Sequence, residues 1–228
     1  MKKPRAMYSI DWLQVSCTSQ TILQLPLNMV ITSKYSDRYG NHREYSIHPH
    51  TELVCGYFNQ VCVRWKGQAI LHVGWLPRQQ DIDPKAVNIK VANPILYTSD
   101  WYFLLMDFCL NMRIYVKQIS RLDLAMDFNY LMNGLHPETF VRKYLTAGQT
   151  YLRVGSNKWC AVGLKEMHHS CYDYLRFGSR QSGVCVYLYN KTRELRQQKD
   201  KPYIRNCWQQ AQLNTGRDVW RLEFSLSS

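Results

Sequence analysis

Three runs of this chain place chemically capable side chains at strand spacing. The first is Arg121-Leu122-Asp123-Leu124-Ala125-Met126-Asp127-Phe128. Alternate residues of a strand share a face. Leu122, Leu124, Met126 and Phe128 are therefore expected to face the core, and Arg121, Asp123, Ala125 and Asp127 the opposite side. Asp is disfavoured in strands, so acids repeated here suit a metal-facing or DNA-facing surface. Asp123 and Asp127 lie about 13 Å apart along a strand. A Mg²⁺ ion needs its ligand oxygens about 2 Å away, so these two carboxylates cannot easily share one ion. Asp123 needs a partner from another strand. Glu223, in the second run Arg221-Leu222-Glu223-Phe224, is the natural candidate, because the pattern Arg-Leu-acid-apolar occurs in both. Two solvent-facing carboxylates paired with Arg121 and Arg221 would satisfy the same pattern without any chemistry.

The third run, Tyr174 to Lys191, contains Gly178-Ser179-Arg180-Gln181-Ser182-Gly183, a polar connection between two strands. Its glycines and hydroxyls would let backbone N–H groups approach a phosphate, with Arg176 and Arg180 beside it. In the following strand Cys185, Tyr187 and Tyr189 point one way, and Lys191 follows on the same side, about 7 Å from Tyr189 at Cα. A tyrosine beside a cation can attack a phosphodiester. Its phenol has an ordinary pKa near 10 and needs a base, or help to ionise. A divalent metal would polarise the phosphate. The plainer reading is structural, since the chain has 16 tyrosines. Lys191, Arg193, Arg196, Lys199, Lys201 and Arg205 then form a basic run that suits either a DNA backbone or a solvated helix face. His48-Pro49-His50 is a poor metal motif, because proline disrupts a regular strand. His168-His169 offers a base or ligand twenty residues before Tyr189.

Several elements must position these residues. Residues 7–17 alternate as a strand, and shorter strands are expected near 53–58, 61–65 and 69–73. From Ser99 to Met112, Trp101, Leu104, Leu105, Phe108 and Met112 recur at helical spacing, with Thr98 or Ser99 as cap. A second helix is expected to begin at Pro137 and bury Phe140, Val141, Tyr144 and Leu145 before Gly148. The later strands are 121–128, 184–189 and 219–226, with a partly helical segment between the last two. This order predicts an α+β fold built on a mostly antiparallel central sheet with flanking helices. One domain over 1–228 is expected. The echoed Arg-Leu-acid pattern leaves open two pseudo-repeated halves, about 1–130 and 131–228.

The charge balance narrows the partners. A net charge of +12 and a pI of about 9.4 suit a polyanion, and 16 Tyr with 7 Trp supply surfaces for stacked bases. No apolar run reaches the roughly 18 residues of a membrane span, and Asp11 interrupts what would be the core of a signal peptide. A cytoplasmic location without membrane attachment is expected. The 8 cysteines form no C-x-x-C pair, so reduced, mostly buried thiols are expected rather than a zinc ribbon.

Taken in order, four segments resemble the trans-acting replication initiation factors of rolling-circle plasmids, whose relatives include relaxases of conjugative elements and filamentous-phage initiators. They are Asp11-Trp12-Leu13, Arg121 to Asp127, the block from Phe177-Gly178-Ser179-Arg180-Gln181-Ser182 to Tyr189-Asn190-Lys191, and Arg221-Leu222-Glu223. Together they span nearly the whole chain. The aromatic-x-Gly-Ser element is kept only approximately by Arg176-Phe177-Gly178-Ser179. The resemblance implies a fold related to rolling-circle initiator endonucleases and a site-specific strand nickase and ligase. Tyr189 would attack the phosphodiester, with Lys191 beside it, leaving a 5′-phosphotyrosine and a 3′-hydroxyl that primes synthesis. Asp123 and Glu223 would hold Mg²⁺ or Mn²⁺. Arg121, Arg176, Ser179, Arg180, Arg193, Arg196 and Arg221 would contact DNA at a replication or transfer origin, single-stranded or hairpinned at the nick. A homodimer and a host helicase are further expected partners. A conjugative relaxase of the same chemistry, or a non-catalytic DNA-binding protein of this fold, are the competing readings.

Overall fold

The computed structural model describes residues 5–36, 42–49, 56–131, 134–146, 159–160, 174–178, 183–197 and 201–228. It divides into two compact units. The first comprises Met1–Asp11 and Leu122–Ser228, the second Trp12–Arg121. The division therefore falls inside two strands, β1 (Ala6–Ser19) and β7 (Ile114–Phe128), rather than near residue 130. All strand pairings with an assigned register are antiparallel, and helices flank them, as expected of the α+β class.

In the second unit the strands run in the order β2 (Val30–Ser36), β3 (His42–Pro49), β4 (Tyr57–Trp65), β5 (Gln68–Pro77), β6 (Ala86–Val91), β1. The β4–β5 turn uses Lys66 and Gly67, both at positive φ, the backbone that a two-residue hairpin of matching twist requires. Val15, Ile89, Val73 and Val61 lie in one cross-strand row and are all buried. After the single turn α1 (Asn93–Leu96) comes α2 (Trp101–Asn111), which buries Leu104, Leu105 and Phe108 as its periodicity predicts. Its cap differs from expectation. Asp100 occupies the N-cap without a side-chain bond, while the Thr98 hydroxyl donates back to the Ile95 carbonyl at 2.8 Å. The helix ends at Asn111, and just beyond its C-cap Met112 the chain turns away at Arg113, which sits at positive φ.

In the first unit the order is β7, β11 (Trp220–Ser227), β10 (Val184–Asn190), β9 (Tyr174–Phe177), β8 (Trp159–Cys160). One face carries the core of Phe128, Leu175, Leu188 and Trp220, closed by Val141 of α3 (Pro137–Thr146), with Met126, Phe140 and Leu222 packed around it. The basic segment after β10 forms two helices, α4 (Lys191–Gln197) and α5 (Pro202–Gln210). Ile204 and Trp208 of α5 are buried. Among the described residues no helix is long and apolar enough to cross a membrane. Cys17, Cys62, Cys109 and Cys185 are buried and Cys207 is half-buried, and none of the five forms a disulfide.

Candidate active site

The acidic strand alternates as its sequence predicts, but with a different exposure. Asp123, Ala125 and Asp127 are buried, Asp127 fully so, while Leu124, expected in the core, is 42% exposed. The reason is α5, which lies over the acidic side. Trp208 donates its indole N–H to Asp127 Oδ2 at 2.6 Å. Alternation shows which residues share a face. It does not show which later helix will cover that face.

Burying a carboxylate demands compensation, and Arg221 supplies it. Its Nε and Nη2 donate to Asp127 Oδ1 and Oδ2 at 2.6 and 2.8 Å, a bidentate pair, while Nη1 lies 2.7 Å from Asp11 Oδ1. Arg221 is fully buried, so its expected role as a DNA contact is corrected. It holds two carboxylates inside the protein. Arg121 lies in the second unit, with its guanidinium 4.3 Å from the Trp12 ring centroid.

Tyr189 stands at the centre of the remaining groups. Register places Tyr189 opposite Arg221 and Tyr187 opposite Glu223 on β11. Directly paired residues of antiparallel strands share a face, so these four face one side. The Tyr189 hydroxyl donates to Glu223 Oε2 at 2.9 Å, and Lys191 Nζ donates to the same hydroxyl oxygen at 3.3 Å. Lys191 reaches it from the start of α4. Asn190, the last residue of β10, accepts the Arg193 N–H at 3.0 Å through its side chain, an N-cap bond that turns strand into helix at this point. The turn aims the Lys191 side chain back at Tyr189. Lys191 is 1% exposed and is held also by Glu194 Oε2 at 2.5 Å. It is therefore buried against Tyr189 rather than the first cation of a solvated basic face.

The surroundings shift all three groups. Burial raises the Tyr189 phenol well above its ordinary value; Arg221 works against this, while Glu223, Asp11 and Glu194 add to it. Burial lowers Lys191, and the Arg221 charge lowers it further. Burial raises Glu223, and the Asp11 and Asp123 carboxylates add to the effect against Arg221. Tyr203 of α5, whose neighbours include Asp11 and Glu194, is pushed up to about 12, chiefly by burial. A carboxyl raised in this way is a better base near neutrality than a free one.

No group of three or more His, Cys, Asp or Glu side chains is arranged to hold a metal among the described residues. Mg²⁺ is commonly held by one or two carboxylates with water and substrate phosphate completing the shell. The carboxylates of Asp11 and Asp123 both act on Glu223, and the bond to Tyr189 uses one of the two Glu223 oxygens. That donor set suits a hard divalent cation.

The other expected residues scatter. Arg176 is half-buried on β9, opposite Tyr187. Arg193 is half-buried, its Nε 4.0 Å from Asp218, and Arg196 is exposed on α4. Ser179, Arg180, His50, His168 and His169 lie outside the described residues. His48 sits near the end of β3 and contacts the Ser46 hydroxyl at 2.9 Å. Sequence reasoning gave no role to Asp11, Glu194, Tyr203 or Trp208. Asp11 alone left a signal, an acid inside an alternating strand.

No model of a protein family and no curated protein matches the sequence. Among solved structures, the rolling circle replication initiator protein from Geobacillus stearothermophilus is similar, with a TM-score of 0.47 and 16% identity over 97% of this chain and 74% of that one.

Proposed function

We propose that this chain is a DNA strand nickase that uses Tyr189 as nucleophile, acting as a rolling-circle replication initiator. One observation carries the reading: a single tyrosine hydroxyl bonded at once to a carboxylate whose pKa is raised and to a buried ammonium whose pKa is lowered. Groups pushed out of their ordinary ranges and converging on one nucleophile are what acid–base and covalent catalysis require. The initiator role rests on the ordered motifs of the sequence and on the basic charge of the chain.

Tyr189 Oη forms a bond to phosphorus as the bond from phosphorus to the 3′ oxygen breaks. The phenolic proton passes to Glu223 Oε2, already within hydrogen-bond distance, and the departing 3′ oxygen takes a proton from water. Lys191 stabilises negative charge on Oη as the proton leaves. The high pKa of the phenol makes free phenolate scarce, so proton loss accompanies attack. The products are a 5′-phosphotyrosine and a free 3′-hydroxyl, and reversal reseals the strand. A Mg²⁺ or Mn²⁺ ion held by Asp123 and Glu223 would add Lewis-acid stabilisation of the phosphate charge.

The test uses supercoiled DNA of the encoding replicon with Mg²⁺ or Mn²⁺. Relaxed circles and a protein–DNA adduct on a denaturing gel are expected from the wild type. Intact, salt-sensitive binding without either product would replace this reading with a non-catalytic one.

A further inference from the structure

Lys191 reaches Tyr189 through a flexible four-carbon stem, so nothing in the stem itself fixes where the ammonium rests. Its backbone is held firmly. The Asn190 side chain accepts the Arg193 N–H at 3.0 Å and donates to Asp218 Oδ2 at 2.8 Å. The Thr192 N–H donates to the Val219 carbonyl at 3.1 Å, and the Thr192 hydroxyl accepts the Val219 N–H at 2.8 Å. These bonds tie the first turn of α4 to the segment leading into β11. They do not reach the ammonium, but Glu194 does. It follows three residues after Lys191 on the same helix face. Its Oε2 lies 2.5 Å from Lys191 Nζ, and the same nitrogen lies 3.3 Å from the Tyr189 hydroxyl. Burial and then the Arg221 charge push Lys191 down, while Asp11 and Glu194 oppose them, so Glu194 also helps to keep positive charge beside Tyr189. An acid in the first turn suits any helix. This one is only 22% exposed and is directed at a cation that is 1% exposed.

We propose that Glu194 is a positioning residue for strand cleavage, braced against Lys191 so that the ammonium stays aimed at the Tyr189 oxygen. This rests on the nickase reading and adds a residue that the reading itself does not use. Glu194 acts through Lys191 and not on the phenol, whose proton is directed at Glu223 on β11. Lys191 has three N–H donors. One serves Tyr189 and another serves Glu194. With the Glu194 carboxylate removed, the ammonium is free to swing toward Asp11, which also attracts it. Stabilising charges act best when they are in place before charge develops in the transition state. Negative charge forming on the phenol oxygen would then meet a displaced cation, and a misplacement of about 1 Å costs about 100-fold in rate. The contact joins two protein groups, so its loss falls on the chemical step and not on DNA binding.

The test follows adduct formation in a single turnover against the concentration of supercoiled DNA of the encoding replicon. Glu194→Ala should lower the maximal rate about 100-fold. The half-saturating DNA concentration should stay within about twofold of wild type, as for an interaction made only in the transition state. Glu194→Asp keeps the charge and should recover part of the lost rate. Glu194→Gln keeps the shape and should be slow like the alanine variant; it carries the test if Glu194→Ala fails to fold. The deciding arm is a cycle with Lys191→Met. Residues that act as a unit are not additive, so Glu194→Ala in the Lys191→Met background should slow the reaction less than about twofold further. An equal loss in both backgrounds would overturn the proposal, because Glu194 would then act without Lys191. Wild-type rates in folded Glu194→Ala and Glu194→Gln would overturn it too, as would a raised half-saturating concentration at an unchanged maximal rate, which marks a DNA contact. The wild type separates this proposal from the reading it rests on. A wild-type adduct with unaffected Glu194 variants removes the brace alone, whereas no wild-type adduct removes the nickase and the brace with it.

Discussion

Asp107 in the second unit and Asp127 in the first are both buried aspartates, yet they are compensated differently. Asp107, on α2, accepts hydrogen bonds from the Ser33 hydroxyl at 2.8 Å and from the Tyr45 hydroxyl. The donors are neutral, and burial together with Asp107 holds the Tyr45 phenol above its ordinary value. Asp127 is matched instead by a full charge on Arg221, which is shared with Asp11. In the second unit the acid ties a helix to two strands. In the first, a chain of charges continues to Glu223 and Tyr189, and like charges remain close enough to shift Glu223. The difference separates a structural carboxylate from a set that stores unfavourable electrostatics beside the tyrosine proposed as nucleophile, as functional sites do.

The largest effect expected from this contrast is at the proposed nucleophile. Tyr189→Phe removes the attacking oxygen and should abolish the covalent adduct in the gel assay while DNA affinity stays near wild type. An adduct persisting in that variant, and lost in Tyr187→Phe, would move the nucleophile to Tyr187.

Next is the charge chain. Asp127→Ala leaves Arg221 buried with only Asp11 opposite it, and breaking a buried pair from one side costs about 3–5 kcal/mol. Urea unfolding should show that loss. A loss below about 1 kcal/mol, the scale of an exposed pair, would mean that Arg221 finds another partner and that the network does not hold this unit together.

Glu223→Gln sharpens the comparison because it should act in opposite directions on rate and stability. Removing the proton acceptor should slow nicking about 100-fold, the scale of general-base loss. Stability should rise. The native pKa of Glu223 is raised from an ordinary 4.5, so its native state retains a proton that the unfolded chain has lost. Its favourable contribution is complete below the unfolded value and is lost as pH rises through the native value. The glutamine variant escapes that loss. Its Tm should exceed that of the wild type near neutrality, by about 2–4 °C per kcal/mol relieved, and the gap should close below pH 4.5. A glutamine variant less stable at neutral pH would show that the carboxylate is a structural partner of Tyr189.

What the sequence revealed of this site followed strand geometry. The β7, β10 and β11 segments and the nearness of Tyr189 to Lys191 were legible from alternation and motif order. Lys191 reaches Tyr189 for a reason alternation does not contain, since Asn190 caps a helix there. The Arg221–Asp127 and Arg221–Asp11 pairs were not legible. Their partners lie 94 residues apart in one case and at opposite ends of the chain in the other, and no local pattern encodes which distant acid a buried arginine meets. The echo of Arg121 in Arg221 misled for the same reason. Identical local residues go to a cation–π contact on Trp12 in one place and a buried ion cluster in the other.

The smallest effect tests the other side of the comparison. Asp107→Asn keeps the shape of the side chain but replaces one acceptor with a donor, so either Ser33 or Tyr45 must rotate its hydroxyl to accept or lose its bond. The cost should be about 1–2 kcal/mol, read as a fall in Tm. Asn111, which donates to the Asp107 backbone carbonyl at 2.7 Å, does not touch the altered atoms and should keep its bond. Nicking at a temperature where the variant is fully folded should match wild type, because no group that acts on Tyr189 has changed. A matching Tm with slower nicking would reverse the assignment, giving the second unit's carboxylate a part in the reaction and removing the distinction between neutral and charged compensation.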